Sequence, residues 1–157
     1  GYRNLILKMK EVIRTTQKTL VMSLWKREVN ILEKELKKAE KRGVDVTLFS
    51  FTKFDYKIGK QISYNLNEDR LRKIWTPNII LVSDQLSTIM GSSKKESNSR
   101  SIFTKNEAII EIAINHIVLD ITLAGQRLNF DSNPIVKKIM KNADLQLNKL
   151  LNNKKTF

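Results

Sequence analysis

Few side chains in this sequence could carry out a reaction. The single histidine, His116, stands four residues before Asp120. On a helix that spacing lets a carboxylate orient an imidazole as a base. No nucleophile accompanies the pair, so it reads as ordinary helix surface. With no cysteine at all, disulfides, thiolate catalysis and Cys-ligated zinc are excluded. One imidazole also excludes any site that needs two from one chain, and the carboxylates are too scattered to form a metal-ligand set. The five glycines, at 1, 43, 59, 91 and 125, leave no G-x-G-x-x-G. Gly59-Lys60 lacks the glycine five residues earlier that a Walker A loop requires. Neither a metal nor a cofactor is expected.

The residues suited to binding are more informative. Trp25 and Trp75 could stack a sugar ring or a base, and Asp84 and Ser92 could bond hydroxyls. In a parallel α/β sheet, ligands bind outside the C-terminal strand ends. That rule gathers Trp25, Ser50, Asp84 and residues 91–93, including Gly91 and Ser92, into one neighbourhood. Each also has a plain structural role. Trp25 fills a core, Trp75 packs before Pro77, Asp84 bonds loop amides, and Gly91-Ser92 makes a turn.

These residues are set by elements that the apolar pattern predicts. Residues 4–16 have Leu5, Ile6, Met9, Val12 and Ile13 on one helical face. An apolar run at 20–25 reads as a buried strand. Residues 26–42 form the clearest helix, with Val29, Leu32, Leu36 and Ala39 as its stripe and Gly43 as its stop. A strand over 44–50 follows, so a βαβ unit with a parallel, right-handed crossover is expected. Residues 51–60 read as a loop, 61–66 as an edge strand and 68–74 as a short helix. Residues 78–83 are nearly continuously apolar and therefore a central strand. Strands at 85–90 and 100–104 flank a polar loop at 91–99. Asn106 caps a long helix over 107–127, Asn133-Pro134 breaks the chain, and a last helix covers 135–151.

The expected architecture is α/β: one mixed, partly parallel sheet with flanking helices. It forms a single domain over 1–157, with a leading helix (1–17), an α/β core (18–130) and a C-terminal helix with a basic tail (131–157). The 157 residues and 41% hydrophobic content allow one packed core. The longest charge-free run, residues 74–83, falls far short of the ~20 needed to span a bilayer, and the N-terminus has no secretory pattern. A cytoplasmic protein without a membrane partner is expected.

The formal charge is +13, which tests for nucleic acid as a partner. Residues 1–43 carry +7, 44–105 carry +4, 106–130 carry −2 and 131–157 carry +4. The basicity is therefore spread over folded segments. In residues 26–42, Glu28, Glu33, Glu35 and Glu40 alternate with the bases, and Glu33–Lys37 is an i,i+4 pair, as on a solvated helix face.

Residues 75–93 then narrow the fold. An apolar strand ending in Asp84, a second short strand, and Gly91-Ser92 resemble the phospholipase-D-type motif H-x-K-x4-D-x6-G-S-x-N, with Asp84, Gly91 and Ser92 at matching positions. The motif's His is replaced by Pro77, its Lys by Ile79 and its Asn by Lys94. That chemistry uses His as nucleophile and Lys to stabilise the phosphoryl charge. The resemblance therefore implies a phospholipase-D-like scaffold that is catalytically inactive. Ser23-Leu-Trp25 at a strand end, Arg42-Gly-Val44 before the second strand, Asp84, and Phe103-Thr-Lys-Asn106 before the long helix occur in the order found in TrmB-type transcriptional regulators. The chain resembles their effector domain over residues 2–128. The resemblance implies a homodimer, a small-molecule effector (a sugar in some members) and operator DNA bound through a winged-helix domain. This chain opens directly in the helix before the first strand, so that reader is expected to lie outside it. Residues 131–157 do not read as the β-rich sugar-binding addition of the long members.

Three readings compete. The leading one is a non-enzymatic domain that senses an effector and dimerises, its leading helix over 4–16 being able to pair across a two-fold axis. The alternative is a nucleic-acid-binding module that uses the basic and aromatic run at 49–57. The third is a residual phosphodiesterase.

Overall fold

The computed structural model describes residues 1–94, 100–140 and 149–153. Six strands form one sheet in the order β3-β2-β1-β4-β5-β6, with helices on both faces. The elements in chain order are α1 (Tyr2–Thr15), β1 (Thr19–Ser23), α2 (Lys26–Lys41), β2 (Asp45–Thr52), β3 (Lys60–Leu66), α3 (Glu68–Arg72), β4 (Asn78–Ser83), β5 (Ser87–Ser92), β6 (Ser101–Thr104), α4 (Glu107–Leu128) and α5 (Asn133–Ile139). The mixed α/β fold expected from the sequence is what forms.

Alternation along the central strands explains the layers. Leu20, Met22, Leu48, Ile79 and Leu81 face α1 and α2, while Val21, Phe49, Ile80 and Val82 face α4 and α5. Because both faces are covered, β1 and β4 need apolar residues at nearly every position. β1 and β2 pair in parallel, as the βαβ pattern predicts, and β3 adds to β2 in parallel as an edge. β4 is central but runs antiparallel to β1, and β5 and β6 continue antiparallel.

The helix ends follow local chemistry. Gly43, at φ +88°, closes α2, and the Val44 amide reaches back to the Ala39 carbonyl. The Asn106 side chain accepts the Ile109 amide, capping α4 as expected.

Several expectations are corrected. Gly91 and Ser92 belong to β5 rather than to a loop. The last helix stops at Ile139, where Met140 turns extended; residues 149–153 are helical again. The intervening residues 141–148, the tail from 154 and loop residues 95–99 lie outside the described residues. Glu28 and Glu35 do not belong to a solvated face, since both are buried. Their spacing, 28-32-35-39, is that of α2's inward stripe, whereas Glu33 does pair with Lys37 at the surface. The apolar face of α1 is spent inside the fold, with Leu5, Ile6, Met9, Val12 and Ile13 all in the core. That face therefore cannot also pair with a second copy. Finally, α4 is long and apolar enough to cross a bilayer by length and composition alone. Here Ile110, Ile114, Ile117 and Ile121 pack it onto the sheet.

Candidate functional site

The C-terminal ends of β1 and β2 lead into a buried polar cluster at the start of α2. The chain leaves β1 through Leu24 and Trp25, both buried, and Trp25 precedes the first helical residue. The exposed amides of a helix start need acceptors. Thr52 at the end of β2 supplies one, its Oγ1 lying 2.7 Å from the Lys26 amide. Ser50 Oγ, fully buried, lies 3.1 Å from Thr52 Oγ1 and also accepts the Thr52 amide. Ser50 thus steadies a helix cap.

Glu28 is the centre of the cluster. Its Oε1 accepts the Tyr2 hydroxyl at 2.6 Å, the Ser93 hydroxyl at 2.7 Å and Arg27 Nε at 3.0 Å, while its Oε2 is buried with no hydrogen-bond partner. Burial, the bond to Glu28 and its charge push the Tyr2 phenol above its ordinary pKa. Arg27 stacks over the Tyr2 ring at 4.2 Å and donates to the Ser93 carbonyl and hydroxyl. Arg72 also reaches the Ser93 hydroxyl, pairs with Glu68, and lies 5.2 Å from the Trp25 ring centre. The two guanidiniums are thus held by two carboxylates, and the cluster is internally neutral. Beside it, Lys26, Lys53, Asn65, Asn67, Glu68 and Asp69 line an open cleft of about 410 Å³ that mixes donors and acceptors. A larger cleft of about 480 Å³ lies at the outer edge of β3, between Phe54, Phe130 and Pro134, and contains none of the six expected ligand-binding residues.

The structure brings Trp25, Ser50, Trp75, Gly91 and Ser92 to this end of the sheet. Trp25 is buried, so no ligand can lie on its ring; Trp75 is 54% exposed and tilts against Phe51 at 5.5 Å. Ser92 is half-buried and accepts the Lys94 amide. Gly91 pairs with Ser101 across the β5–β6 ladder, where an added Cβ would come within 2.8 Å of the Ser101 Cβ and 3.1 Å of Leu5.

Asp84 is not in this neighbourhood. Because β4 is antiparallel to β1, its C-terminal end lies at the opposite end of the sheet, roughly six residues or 20 Å away. There Asp84 and Gln85, both at positive φ, turn β4 into β5. The Asp84 carboxylate accepts the amides of Gln17 (3.0 Å), Lys18 (2.7 Å) and Thr19 (2.9 Å). Partial burial pushes this carboxyl up, but the three amides outweigh it and hold it below the usual range. Asp84 clamps the α1–β1 connection.

Pro77 and Ile79, at the motif's His and Lys positions, sit beside the polar cluster: the Pro77 carbonyl accepts the Ser93 amide at 2.7 Å, and Ile79 is buried. His116 lies on α4, on the other face, with Nε2 3.5 Å from Asp120 Oδ2. The aromatics of residues 49–57 are wholly or partly buried. Phe49 is fully buried, Phe51 stacks on Tyr64 at 5.7 Å, and Phe54 and Tyr56 pack on the core. The sequence reading missed Tyr2, Arg27, Glu28, Glu68 and Arg72, and placed Ser93 in the neighbourhood without giving it a role. For Glu28, its place in the α2 stripe was the available signal. Among the described residues, no cluster of three or more His, Asp or Glu side chains could hold a metal.

Comparison with known proteins bears on the fold and the family. No curated protein sequence matches. By structure the chain is similar to TrmBL2, described as an archaeal chromatin protein with a novel mode of DNA binding, at TM-score 0.52 and 15% identity. That match covers 74% of this chain and 48% of TrmBL2, so the chain spans about half that protein's length. It is also similar to NucT from Helicobacter pylori, at TM-score 0.51 and 13% identity, over 74% of this chain and 86% of that one. Nuc from Salmonella typhimurium, a phospholipase D family member, matches at TM-score 0.48 and 15% identity, over 73% and 83%. The fold, one mixed α/β sheet with flanking helices, is that of TrmBL2 and NucT. The family model described as the N-terminal subdomain of the effector-binding domain of the transcriptional regulator TrmB matches residues 1–117, so the chain belongs to the TrmB family of transcriptional regulators.

Proposed function

We propose that this is a non-catalytic regulatory domain: it binds a small polar effector at the C-terminal ends of β1 and β2, self-associates, and acts on operator DNA through a reader outside the chain. The observation that carries this reading is the replacement of the motif's nucleophile and its electrostatic support by Pro77 and buried Ile79. A phosphoryl-transfer mechanism of that type has no group to form the covalent intermediate. The cleft beside the Glu28 cluster alternates cationic, amide and carboxylate groups, a lining suited to a polyhydroxylated ligand such as a sugar. Exposed Trp75, on the same end of the sheet, offers a ring face to such a ligand. The Glu28–Arg27–Ser93–Arg72 network meets this cleft through Glu68, which lines it and pairs with Arg72.

A melting-temperature screen with sugars and sugar phosphates tests the reading. A ligand at 100 times its dissociation constant adds about 2.7 kcal/mol, about 5–10 °C for a chain of this size. Glu68→Ala or Trp75→Ala should remove the shift. Absence of any shift across the panel, together with measurable phosphodiester turnover, would overturn the proposal. Phe49 is fully buried and Phe51, Phe54 and Tyr56 are partly so, which leaves the nucleic-acid alternative a reduced stacking surface.

A further inference from the structure

The outer face of α4 carries an ordered apolar seam that the core formed by the described residues does not use. Ile109, Ile112, His116, Leu119, Leu123 and Gln126 follow one another at intervals of 3, 4, 3, 4 and 3, the a/d spacing of a coiled coil. The core takes the other side of the helix through Ile110, Ala113, Ile114, Ile117, Ile121 and Ala124. Along the seam, Ile112 is 59%, Leu119 61% and Leu123 41% exposed.

We infer that α4 is the self-association surface of this domain, pairing with α4 of a second copy across a two-fold axis. The inference rests on the regulatory reading above, whose self-association it locates. Three observations select a second copy. A seam at strict 3-4 spacing is complementary to another helix of the same spacing, which symmetry supplies. Charge points the same way. Two bodies of +13 repel, yet residues 106–130 carry −2, so meeting at α4 keeps the basic N-terminal third of each copy apart. The same local charge disfavours nucleic acid and anionic lipid as occupants of this face. The alternative pairing helix, α1, has its apolar side in the core. His116, polar at an a position, sets the register at some cost in affinity. A 22-residue helix offers a strip of about 33 Å by about 10 Å, or about 700 Å² in the pair. That is below the ~1,000 Å² of a firm interface, so the dimer is weak and concentration-dependent.

Sedimentation velocity between about 10 µM and about 1 mM tests this. The wild-type chain should pass from monomer to dimer. Leu119→Glu with Leu123→Glu should weaken the dimer at least about 100-fold, and His116→Leu should tighten it about tenfold. Both variants should keep the wild-type circular dichroism, because the changed positions are exposed. A dimer indifferent to the Leu119/Leu123 double change overturns the α4 assignment but leaves the regulatory reading standing. A wild-type chain that stays monomeric at about 1 mM, or that binds anionic vesicles through α4, overturns it as well.

Discussion

Replacing Asp84 by alanine should destabilise the fold without touching the candidate effector site. The carboxylate accepts three backbone amides, those of Gln17, Lys18 and Thr19, from the connection between α1 and β1. A hydrogen bond to a buried charged acceptor is worth about 1.5–3 kcal/mol. Asp84 is only partly buried, so water competes and each bond is discounted to about 0.5–1 kcal/mol. Alanine at φ +51° adds about 1 kcal/mol of left-handed strain that aspartate tolerates better. The expected loss is about 3 kcal/mol, or about 6–12 °C in melting temperature. Asp84→Asn keeps the turn preference and one acceptor oxygen, and should lose less than half as much. The pH dependence has a definite sign. The folded-state carboxyl titrates below its unfolded value near 3.9. Its contribution is therefore present above about pH 4 and disappears as pH falls through the lower, folded value. Thermal melts of wild type, Asp84→Ala and Asp84→Asn at pH 7 and near pH 3 read both effects, and the difference between the proteins should shrink in acid. A change of less than about 2 °C at pH 7 would refute the clamp and return Asp84 to the ligand-binding candidates.

Other changes follow from the same packing. Glu28→Ala strands Tyr2, Arg27 and Ser93 in a buried site and should cost about 3–5 kcal/mol in chemical denaturation; Glu28→Gln, which keeps an acceptor, should cost clearly less. Gly91→Ala forces a Cβ against Ser101 and Leu5 and should cost about 1–3 kcal/mol, with faster hydrogen exchange confined to β6 and its ladder with β5. Burial raises the Asp120 carboxyl, with His116 and Arg127 opposing it. A raised folded value means that the ionised form weighs on stability as pH rises through it. Asp120→Asn should therefore raise the melting temperature at pH 7 and lose that gain toward pH 4.

What the sequence disclosed and what it withheld divide along the range of the interactions. Helices α1, α2 and α4 and strands β1, β2 and β4 were legible because each carries its own apolar period, and the α2–Gly43–β2 junction because its stop residue is local. The direction of β4 was not. A strand covered on both faces, such as 78–83, has the same composition whichever way it runs. Asp84 was therefore assigned to the wrong end of the sheet, although its alternative role of bonding loop amides is the one observed. The Glu28 cluster was hidden for a related reason. Charge alternation in 26–42 suggested solvent, and its partners Tyr2, Arg72 and Ser93 lie far away in sequence. Glu35 is buried in the same manner, held by Arg14 of α1 at 2.8 Å. Gly91 and Ser92 looked like a turn because a glycine-serine pair marks turns more often than strands. Here the glycine admits the close approach of β6.

The replacement of the phospholipase-D nucleophile is the point on which the functional reading turns, and a phosphodiesterase assay tests it most directly. With an activated diester such as bis-p-nitrophenyl phosphate and with DNA, at protein concentrations of about 10 µM, the expected rate is that of buffer alone. Pro77→His combined with Ile79→Lys serves as a probe of whether the motif's two positions converge. Turnover by the wild-type chain that Glu28→Gln or Ser93→Ala abolishes, in proteins that still melt cooperatively, would contradict the regulatory reading.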